Sequence, residues 1–351
     1  MAEDIEGNAM ATVNVGVIGL GRIGRINSRY LLRHPKGARL AAVSTRRPED
    51  AKKFLDSGDS IKIYTDYHDL LADAAIDGVL VVTHTHTHHD IVIAAAGAGK
   101  AIFCEKPIAL TLTQTDSMLA AVEKAGVLFQ VGFMRRFDKG FAAAKQRIEA
   151  GDIGDPIVAY AVSRDPNCPE SDWAAPSNSG GLILDLAIHD FDMLPWLMQD
   201  EVERVYAESG NLACPDLVEV GDIDTAIINM RFAGGGLGYV EAGRNCRYGY
   251  DIRCEIRGTD ATLQIGELRD TPIMALTPHG VTHDTVAWFE ERFTPAYHKQ
   301  LDHFIECIQL DKPPLAGAAE ARTALQISLA ATRSHIEGQP VTVATARDIE
   351  F

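Results

Sequence analysis

The sequence lacks both a long apolar run and an excess of positive charge. Nowhere do 18 consecutive apolar residues occur, which excludes a membrane-spanning helix of ordinary length. The formal charge is −16, whereas nucleic acids and anionic membranes bind basic faces. We therefore expect neither kind of partner. A basic segment followed by an apolar core is also missing near the start, so we expect no signal peptide and interpret residues 1–12 as a flexible polar leader.

Closely spaced cysteines are missing too. The six cysteines are scattered singly, at positions 104, 168, 214, 246, 254 and 307. Without a C-x-x-C pair or a dense framework, we expect no disulfides and a reducing, cytoplasmic location. Hydrophobic residues at 46% and charged residues at 23% are ordinary for a globular protein. A length of 351 residues predicts two domains.

The first third of the chain alternates short apolar runs with amphipathic stretches. The runs are VNVGVI (13–18), RLAAVS (39–44), IKIY (61–64), GVLVVT (78–83), AIFCE (101–105) and VLFQVGF (127–133). Strands separated by helical patterns predict βαβ units and a parallel sheet covered by helices on both faces. We therefore predict an α/β domain over residues 13–133.

The pattern changes after residue 133. A helical stretch (139–151) and a strand-like run (156–165) precede SGGLILDLAIHDFDMLPWLM, which predicts one long, buried helix over 179–198. Closely spaced strand candidates follow, joined by Gly-rich turns at hairpin distances, and this favours an antiparallel or mixed sheet. Two further helices (297–310 and 318–332) end the pattern. We predict an α+β domain over residues 134–351.

A glycine-rich turn follows the first strand and opens a helix. In Gly19-Leu20-Gly21-Arg22-Ile23-Gly24 the three glycines permit a tight turn, close approach of a pyrophosphate, and close packing of helix on strand. The helix N-terminus offers free N–H groups to the phosphates. This context predicts a Rossmann dinucleotide site. The alternatives are a turn without a ligand and a site for S-adenosylmethionine.

The end of the second strand bears on the choice of cofactor. A carboxylate that would bind the adenosine ribose is missing there, and the chain has Ser44, Thr45, Arg46 and Arg47 instead. Hydroxyls beside two guanidinium groups suit a 2′-phosphate. We therefore favour NADP, with NAD as the alternative; a solvated turn whose arginines bind nothing is the structural alternative.

Two further segments carry groups suited to catalysis. Glu105, Lys106 and Pro107 lie at the carboxyl end of the fifth parallel strand, where open α/β sheets bind ligands. Asp185 and His189 are four residues apart and would share one face of the predicted helix. The structural alternatives are a surface lysine and a helical ion pair. Their combination with the dinucleotide turn favours a catalytic interpretation.

Taken together, GLGRIG, Lys106-Pro107 and D-x-x-x-H resemble the glucose–fructose oxidoreductase/inositol dehydrogenase (Gfo/Idh/MocA) family. The resemblance covers nearly the whole chain from Val13, and MRRFD, SRDP and SGGLILDLAIHDFDM are most similar to the inositol 2-dehydrogenases. It implies a second domain with a large, open, mostly antiparallel sheet, a cis peptide before Pro107, and a homotetramer. It also implies NAD(P)-dependent oxidation of a secondary alcohol on a cyclic polyol or sugar.

The resemblance also implies roles for individual residues. The catalytic set is Lys106, Asp185 and His189. Cofactor contacts come from the Gly19–Gly24 turn, the Ser44–Arg47 segment, and Thr83, His84, His88, Glu105 and Lys106. Substrate contacts come from Lys106, Asp185, His189, Arg135 or Arg136, Asp165, Asn167 and Tyr248. Arg136 could instead pair with Asp138, and Tyr248 could be a core or interface aromatic residue.

Three positions depart from the family pattern. Asn27 stands where inositol dehydrogenases commonly have a histidine, His84 stands where proline or asparagine is usual, and Ser44 replaces the acid of NAD-using members. The departures concern the sugar and the cofactor preference. Three rival functions are an aldose dehydrogenase, a non-catalytic nucleotide-sensing regulator and a methyltransferase, of which the last leaves Lys106-Pro107 unexplained.

The histidine run of residues 83–89 (THTHTHH) raises the possibility of a metal site, because alternating histidines on one strand face could chelate zinc or nickel. No cysteine or carboxylate cluster accompanies the run, so we predict no metal.

Overall fold

A computed structural model describes residues 11–33, 37–55 and 61–349 of the chain. Residues 1–10 of the predicted leader lie outside the described residues. The Lys106–Pro107 peptide bond is cis, as the resemblance implies. Among the described residues, no helix is long and apolar enough to cross a bilayer.

The first part of the chain forms a six-stranded parallel sheet with the strand order β3-β2-β1-β4-β5-β6. This order is that of a doubly wound dinucleotide-binding fold. The strands are β1 (Val13–Ile18), β2 (Ala38–Ser44), β3 (Lys62–Tyr64), β4 (Gly78–Val81), β5 (Ala101–Cys104) and β6 (Phe129–Val131). The helices between them are α1 (Arg22–Arg33), α2 (Pro48–Phe54), α3 (Tyr67–Ala72), α4 (His88–Gly97) and α5 (Leu112–Ala125).

The second part forms a seven-stranded mixed sheet with the order β12-β11-β7-β10-β9-β8-β15, in which only the β7–β10 pair is parallel. The strands, including a separate hairpin of β13 and β14, are β7 (Pro156–Arg164), β8 (Val202–Gly210), β9 (Thr225–Phe232), β10 (Leu237–Gly243), β11 (Asp251–Gly258), β12 (Thr262–Ile265), β13 (Ala275–Thr277), β14 (Gly280–Thr282) and β15 (Val341–Thr342). The predicted fold class, an α/β domain followed by an α+β domain, is confirmed. The boundary that we predicted at 133/134 stays a prediction.

The helices of the second part are α6 (Lys139–Glu149), α7 (Ser171–Ala174), α8 (Pro176–Ser179), α9 (Gly181–Asp185), α10 (Ile188–Met198), α11 (Phe289–Leu310) and α12 (Ala318–Glu337). Of these, α6, α9, α10 and α12 pack against strands of the second sheet. The first turn of α6 is capped by Asp138, whose carboxylate accepts from the N–H groups of Gly140 and Phe141. Strand β10 alternates buried Val240 with exposed Tyr239, so one face of the sheet is left uncovered by the described residues.

The prediction of one long helix over 179–198 was wrong. The segment contains two helices, α9 and α10, with Leu186 and Ala187 between them. Both residues keep backbone angles near the helical region, which is why the apolar pattern alone gave no sign of the break. As a consequence, Asp185 ends one helix and His189 lies in the first turn of the next.

Helix α11 connects the two parts of the molecule. Although it follows the second sheet in sequence, its residues Leu301, Phe304 and Ile305 pack in one apolar cluster with Val15 of β1 and Phe103 of β5. The two parts of the chain therefore share buried surface, and the relative placement of the sheets is fixed by packing.

The expectation of no disulfides was also wrong. Cys168 and Cys214 form a disulfide between the segment after β7 and the segment before β9. Their Cα atoms are 5.7 Å apart although 46 residues separate them, because both segments lie at the same end of the second sheet. The four other cysteines are free.

We predict that Cys214→Ser lowers the free energy of unfolding by about 2–4 kcal/mol, because the bridge restricts a long loop in the unfolded chain. Urea unfolding measures the difference, and dithiothreitol should lower the wild-type value by a similar amount. Cys246→Ser, which removes a free cysteine, is the matched control. A wild type with six reactive thiols and no response to dithiothreitol would contradict the bridge.

Candidate active site

The glycine-rich turn has the geometry that a dinucleotide needs. Gly19 has a φ of +103°, and a Cβ there would lie 2.7 Å from the Val82 carbonyl oxygen. At Gly24 a Cβ would lie 2.1 Å from the Gly19 carbonyl oxygen, so only glycine lets α1 approach β1 this closely. A Cβ at Gly21 would meet nothing within 4 Å, which leaves room for a pyrophosphate. Arg22 and Ile23 then open α1.

The segment after β2 contains no carboxylate at the ribose position. Ser44 is buried as the last residue of β2, while Arg46 and Arg47 are exposed. Thr45 lies between Ser44 and Arg46, and its hydroxyl accepts a hydrogen bond from the Arg47 N–H. The guanidinium of Arg47 is 3.7 Å from Asp50, with 77% of its side chain exposed. Both arginines can therefore turn toward a ligand without breaking a buried ion pair.

The histidine run is not a strand. Residues Thr85–Thr87 form a 3-10 turn and His88 begins α4, so the alternation that raised the metal possibility does not place the histidines on one strand face. The Thr83 and Thr87 hydroxyls share a hydrogen bond of 2.7 Å, and His84 is exposed. Among the described residues, no group of three histidine, cysteine or acidic side chains could hold a metal ion.

His88 lies apart from the exposed histidines of this run. Its ring is buried, Nδ1 is 2.9 Å from the Pro107 carbonyl oxygen, and Nε2 is 3.2 Å from the Thr83 carbonyl oxygen. Burial lowers its pKa to about 4. The ring therefore connects the loop after β4 to the Lys106–Pro107 segment, and both of its nitrogens are directed at the protein rather than at the cofactor cleft.

We predict that His88→Phe destabilises the protein by about 1–3 kcal/mol, because it leaves a buried carbonyl without a partner. Thermal or urea unfolding measures this loss. His86→Phe, two residues earlier at an exposed position, should leave the stability unchanged. Equal stability of the two variants would show that the contacts of His88 do not stabilise these loops.

The structure brings Lys106, Asp185 and His189 together. The Lys106 ammonium donates to the Asp185 carbonyl oxygen at 2.7 Å and lies 3.4 Å from its Oδ1. The break between α9 and α10 directs this carbonyl toward the lysine. His189 is 6% exposed, its Nδ1 has no partner in the described structure, and its ring meets the edge of Phe133. Lys106 thus contacts Asp185 directly and lies close enough to His189 for its charge to lower the pKa of the ring.

The electrostatics of this group suit proton transfer. Burial lowers the pKa of His189 well below its ordinary value, and the positive charges of Lys106 and Arg135 lower it further. The ring is therefore neutral at pH 7 and can accept a proton. Burial raises the pKa of Glu105 to about 7 against the opposing charge of Lys106. Its Oε1 is buried and unpartnered in the described structure, so it can accept a hydrogen bond from a ligand hydroxyl.

Asp165 joins the site through a residue that the sequence analysis missed. The Arg244 guanidinium lies 3.4 Å from Asp185 Oδ2 and 4.0 Å from Asp165 Oδ2. Burial raises the pKa of Asp165 to about 6, while the charge of Arg244 opposes the rise. Trp173 covers the guanidinium at 5.5 Å. Arg244 follows a Gly-rich strand without a known motif, and its sequence context therefore gave no signal.

Arg135 and Arg136 are both in buried ion pairs. Arg135 pairs with Asp190 and donates to the Ser163 hydroxyl, and Arg136 makes a forked pair with Asp192. The alternative pairing of Arg136 with Asp138 was wrong, because Asp138 pairs with Arg292 instead. The contacts of Arg136 hold α10 in place. They do not direct its guanidinium at the catalytic group.

Asn167 and Tyr248 are less directly connected to the site. Asn167 is exposed, two residues beyond Asp165. The Tyr248 hydroxyl donates to Asp251 and accepts from Arg164, which also pairs with Glu241 on the uncovered face of the second sheet. Among the described residues, no recorded contact links Tyr248 to Lys106, Asp185 or His189. Its hydroxyl belongs to the surface network of that face.

These observations define a class of protein. The turn fits a dinucleotide, because Gly21 leaves space and Gly19 and Gly24 permit the close approach. Beside the turn, Glu105 and His189 each present an unpartnered polar atom, and Lys106 supplies a positive charge. An open dinucleotide site next to a base and a cation is the arrangement of a nicotinamide-dependent oxidoreductase.

Family models agree with this class. Residues 13–133 match the NAD-binding Rossmann-fold domain of the Gfo/Idh/MocA oxidoreductase family, and residues 145–343 match its C-terminal alpha/beta domain. The chain belongs to this family. It is 37% identical over 335 residues to a scyllo-inositol 2-dehydrogenase (NAD(+)) of Bacillus subtilis, covering 95% of this chain and 97% of the relative. It is 37% identical to a myo-inositol 2-dehydrogenase of Thermotoga maritima, covering 94% and 98%.

Solved structures lead to the same family. A probable dehydrogenase from Thermotoga maritima superposes with a TM-score of 0.90 at 36% identity, over 95% of this chain and all of that chain. A scyllo-inositol dehydrogenase from Lactobacillus casei with bound NAD(H) and scyllo-inositol has a TM-score of 0.88 at 29% identity, over 95% of this chain and 100% of that chain.

Proposed function

We propose that this protein oxidises a secondary hydroxyl of a cyclic polyol, with myo- or scyllo-inositol as the first candidates. The observation that carries the proposal is the convergence of Lys106, Asp185 and His189 beside the dinucleotide turn. A purely nucleotide-sensing regulator would not need this set of proton-transferring groups. The names of the relatives from Bacillus subtilis and Thermotoga maritima support inositol over other sugars.

The residues of this chain would divide the chemistry among them. A nicotinamide cofactor held by the Gly19–Gly24 turn would supply the hydride acceptor for the oxidation. His189, neutral because of its burial, accepts the hydroxyl proton as general base. Lys106 holds the same oxygen and stabilises the negative charge that develops on it. Asp185 holds Lys106 through its carbonyl oxygen and its carboxylate.

Substrate recognition would come from the carboxylates around this oxygen. A polyol presents several vicinal hydroxyls, and each one that is buried without a partner costs about 1–3 kcal/mol. Asp185 and Asp165 are 14% and 17% exposed in their side chains, so both reach the open part of the site as acceptors. Asn167, exposed and two residues beyond Asp165 in sequence, would add an amide that can donate and accept.

We predict that His189→Ala lowers kcat for inositol oxidation by about 10²–10⁴-fold, the range for loss of a general base. The affinity for reduced cofactor, measured by fluorescence titration, should stay nearly unchanged. Absorbance of the reduced nicotinamide follows turnover with inositols and aldoses, each with NAD and with NADP. His279→Ala, at an exposed position, is the control.

Three outcomes would contradict this assignment. A wild type that turns over no polyol or sugar would favour the regulator, and turnover of aldoses alone would favour the aldose dehydrogenase. A large loss of cofactor binding in His189→Ala would assign the histidine to the cofactor site instead of to proton transfer.

We propose further that NADP is the preferred cofactor, with NAD as the alternative. The support is the absence of a carboxylate from the Ser44–Arg47 segment at the end of β2, together with the exposure of Arg46 and Arg47. A cavity of about 600 Å³ between α1 and α2 also adds positive charge, because its lining includes Arg25, Arg29, Arg33 and Lys53. Its one carboxylate, Asp50, faces Arg47. The name of the Bacillus subtilis relative, in contrast, gives NAD(+).

We predict that the double variant Arg46→Ala/Arg47→Ala lowers kcat/KM for NADP about 10–100-fold more than kcat/KM for NAD. Each charge-assisted hydrogen bond to the 2′-phosphate contributes about 1.5–3 kcal/mol. Lys52→Ala on α2, whose lysine pairs with Glu49, is the matched control. A wild type that already prefers NAD would show that these arginines do not select the cofactor.

The uncovered face of the second sheet supports a homo-oligomer. It exposes Ile227, Leu237 and Tyr239, which lie on the same face of the neighbouring strands β9 and β10. A tetramer built through this face is the proposal that follows from the family resemblance. The expectation of a cytoplasmic location was based on the absence of disulfides, which the Cys168–Cys214 bridge contradicts. The location itself stays a prediction.

A further inference from the structure

Arg244 occupies an unusual place at the edge of the site. It directly follows β10, its backbone N–H donates to the Asp224 carbonyl oxygen at 2.9 Å, and its side chain is 1% exposed. Buried arginines are normally matched by close, forked carboxylate contacts. Here the two carboxylates that face the guanidinium, Asp185 and Asp165, are 3.4 and 4.0 Å away, and Nε has no partner in the described structure.

The carboxylate of Asp185 faces a positive charge on each side. Its Oδ1 faces the Lys106 ammonium at 3.4 Å, while Oδ2 faces the Arg244 guanidinium at the same distance. Each carboxylate oxygen therefore has its own cation. Without Arg244, Asp185 could rotate toward Lys106 and engage it with both oxygens, which would change the direction of the ammonium.

The exposure of these groups separates their roles. The side chains of Lys106, Asp185 and Asp165 are 19%, 14% and 17% exposed, so they reach the open part of the site. Arg244 does not, because it is buried behind the two carboxylates and covered by Trp173. It can therefore influence a substrate only through the groups in front of it.

We propose that Arg244 is a positioning residue of this site, which fixes the orientation and the negative charge of Asp185 and Asp165 toward the polyol without touching a substrate atom. The inference rests on the proposed function, since it assumes that these carboxylates receive substrate hydroxyls. Neither the sequence motifs nor the family comparison assigns a role to this arginine.

The charges around the two carboxylates determine what the loss of Arg244 should do. Asp165 is faced by Arg244, Asp185, Lys106 and Arg22, and of these only Asp185 is negative. Burial raises the pKa of Asp165 to about 6, and Arg244 is the largest influence that opposes the rise. Asp185 is also close enough to Asp222 to raise the pKa of that carboxyl. Because Asp165 is about half ionised at pH 6 in the wild type, removing Arg244 should raise its pKa and lower the ionised fraction more at pH 6 than at pH 8.

The test compares Arg244→Met, which keeps the length without the charge, with Arg244→Lys, which keeps the charge without the fork. We expect Arg244→Met to lower kcat by up to about 10²-fold at pH 8. The ratio of kcat/KM at pH 8 to that at pH 6 should rise several-fold. Arg244→Lys should keep the wild-type ratio and recover part of kcat. Cofactor affinity should not change in either variant.

Arg247→Met is the matched control, because it removes the same charge from an exposed position three residues away. A wild-type pH ratio in a folded Arg244→Met would overturn the proposal and leave a structural role only. If Arg244→Met does not fold, Arg244→Lys provides the test. A wild-type kcat together with an altered pH ratio in that variant would also overturn the proposal.

A measurement without turnover separates this inference from the proposed function. Carboxyl ¹³C NMR can follow the titration of Asp165 in the whole protein. We expect a midpoint near pH 6 in the wild type and at higher pH in Arg244→Met. If Arg244→Met does not fold, Arg244→Lys should show an unchanged midpoint. If no polyol is oxidised but Asp165 responds as expected, the proposed function fails while the coupling to Arg244 holds. If oxidation occurs and the titration midpoint of Asp165 differs from the one expected for the variant used, only the inference about Arg244 fails.

Discussion

The contact between Lys106 and Asp185 joins the two parts of the chain at the point where chemistry would occur. The lysine follows β5 of the first sheet, and the aspartate ends α9 beside the second sheet. A mostly buried ammonium is costly unless its hydrogen bonds are met, and here a carbonyl and a carboxylate oxygen of one residue meet two of them. The short break after Asp185 makes this possible, since it directs the last carbonyl of α9 at the lysine.

Two buried ion pairs hold the helix that carries His189. Arg135 and Arg136 follow β6 in the chain and pair with Asp190 and Asp192 on α10. The first sheet therefore fixes the orientation of this helix. Breaking a buried pair costs about 3–5 kcal/mol, because it leaves an uncompensated charge. These arginines thus serve the site through the position of His189, and the positive charge of Arg135 also favours the neutral ring.

Local rules predicted the parts of the site that depend on neighbouring residues in sequence. The Gly19–Gly24 turn and the Lys106–Pro107 segment were predictable because strand, turn and helix follow one another there. The partners of Arg136, the bridge between Cys168 and Cys214, and the place of Arg244 were not, because each depends on residues brought together by the sheets. The helix break after Asp185 was hidden for another reason, as its residues keep nearly helical backbone angles.

The balance of charge in the site fits a neutral substrate. The chain carries a formal charge of −16, yet around the reacting position two carboxylates, Asp165 and Asp185, face two cations, Lys106 and Arg244. Glu105 adds only part of a negative charge at pH 7, because burial raises its pKa to about 7. An acidic substrate would need a surplus of cations there, and a cationic one a surplus of carboxylates. With neither surplus, affinity must come from hydrogen bonds in fixed directions, which a ring bearing many hydroxyls can satisfy. Rigid placement of the carboxylates then matters more than their total charge.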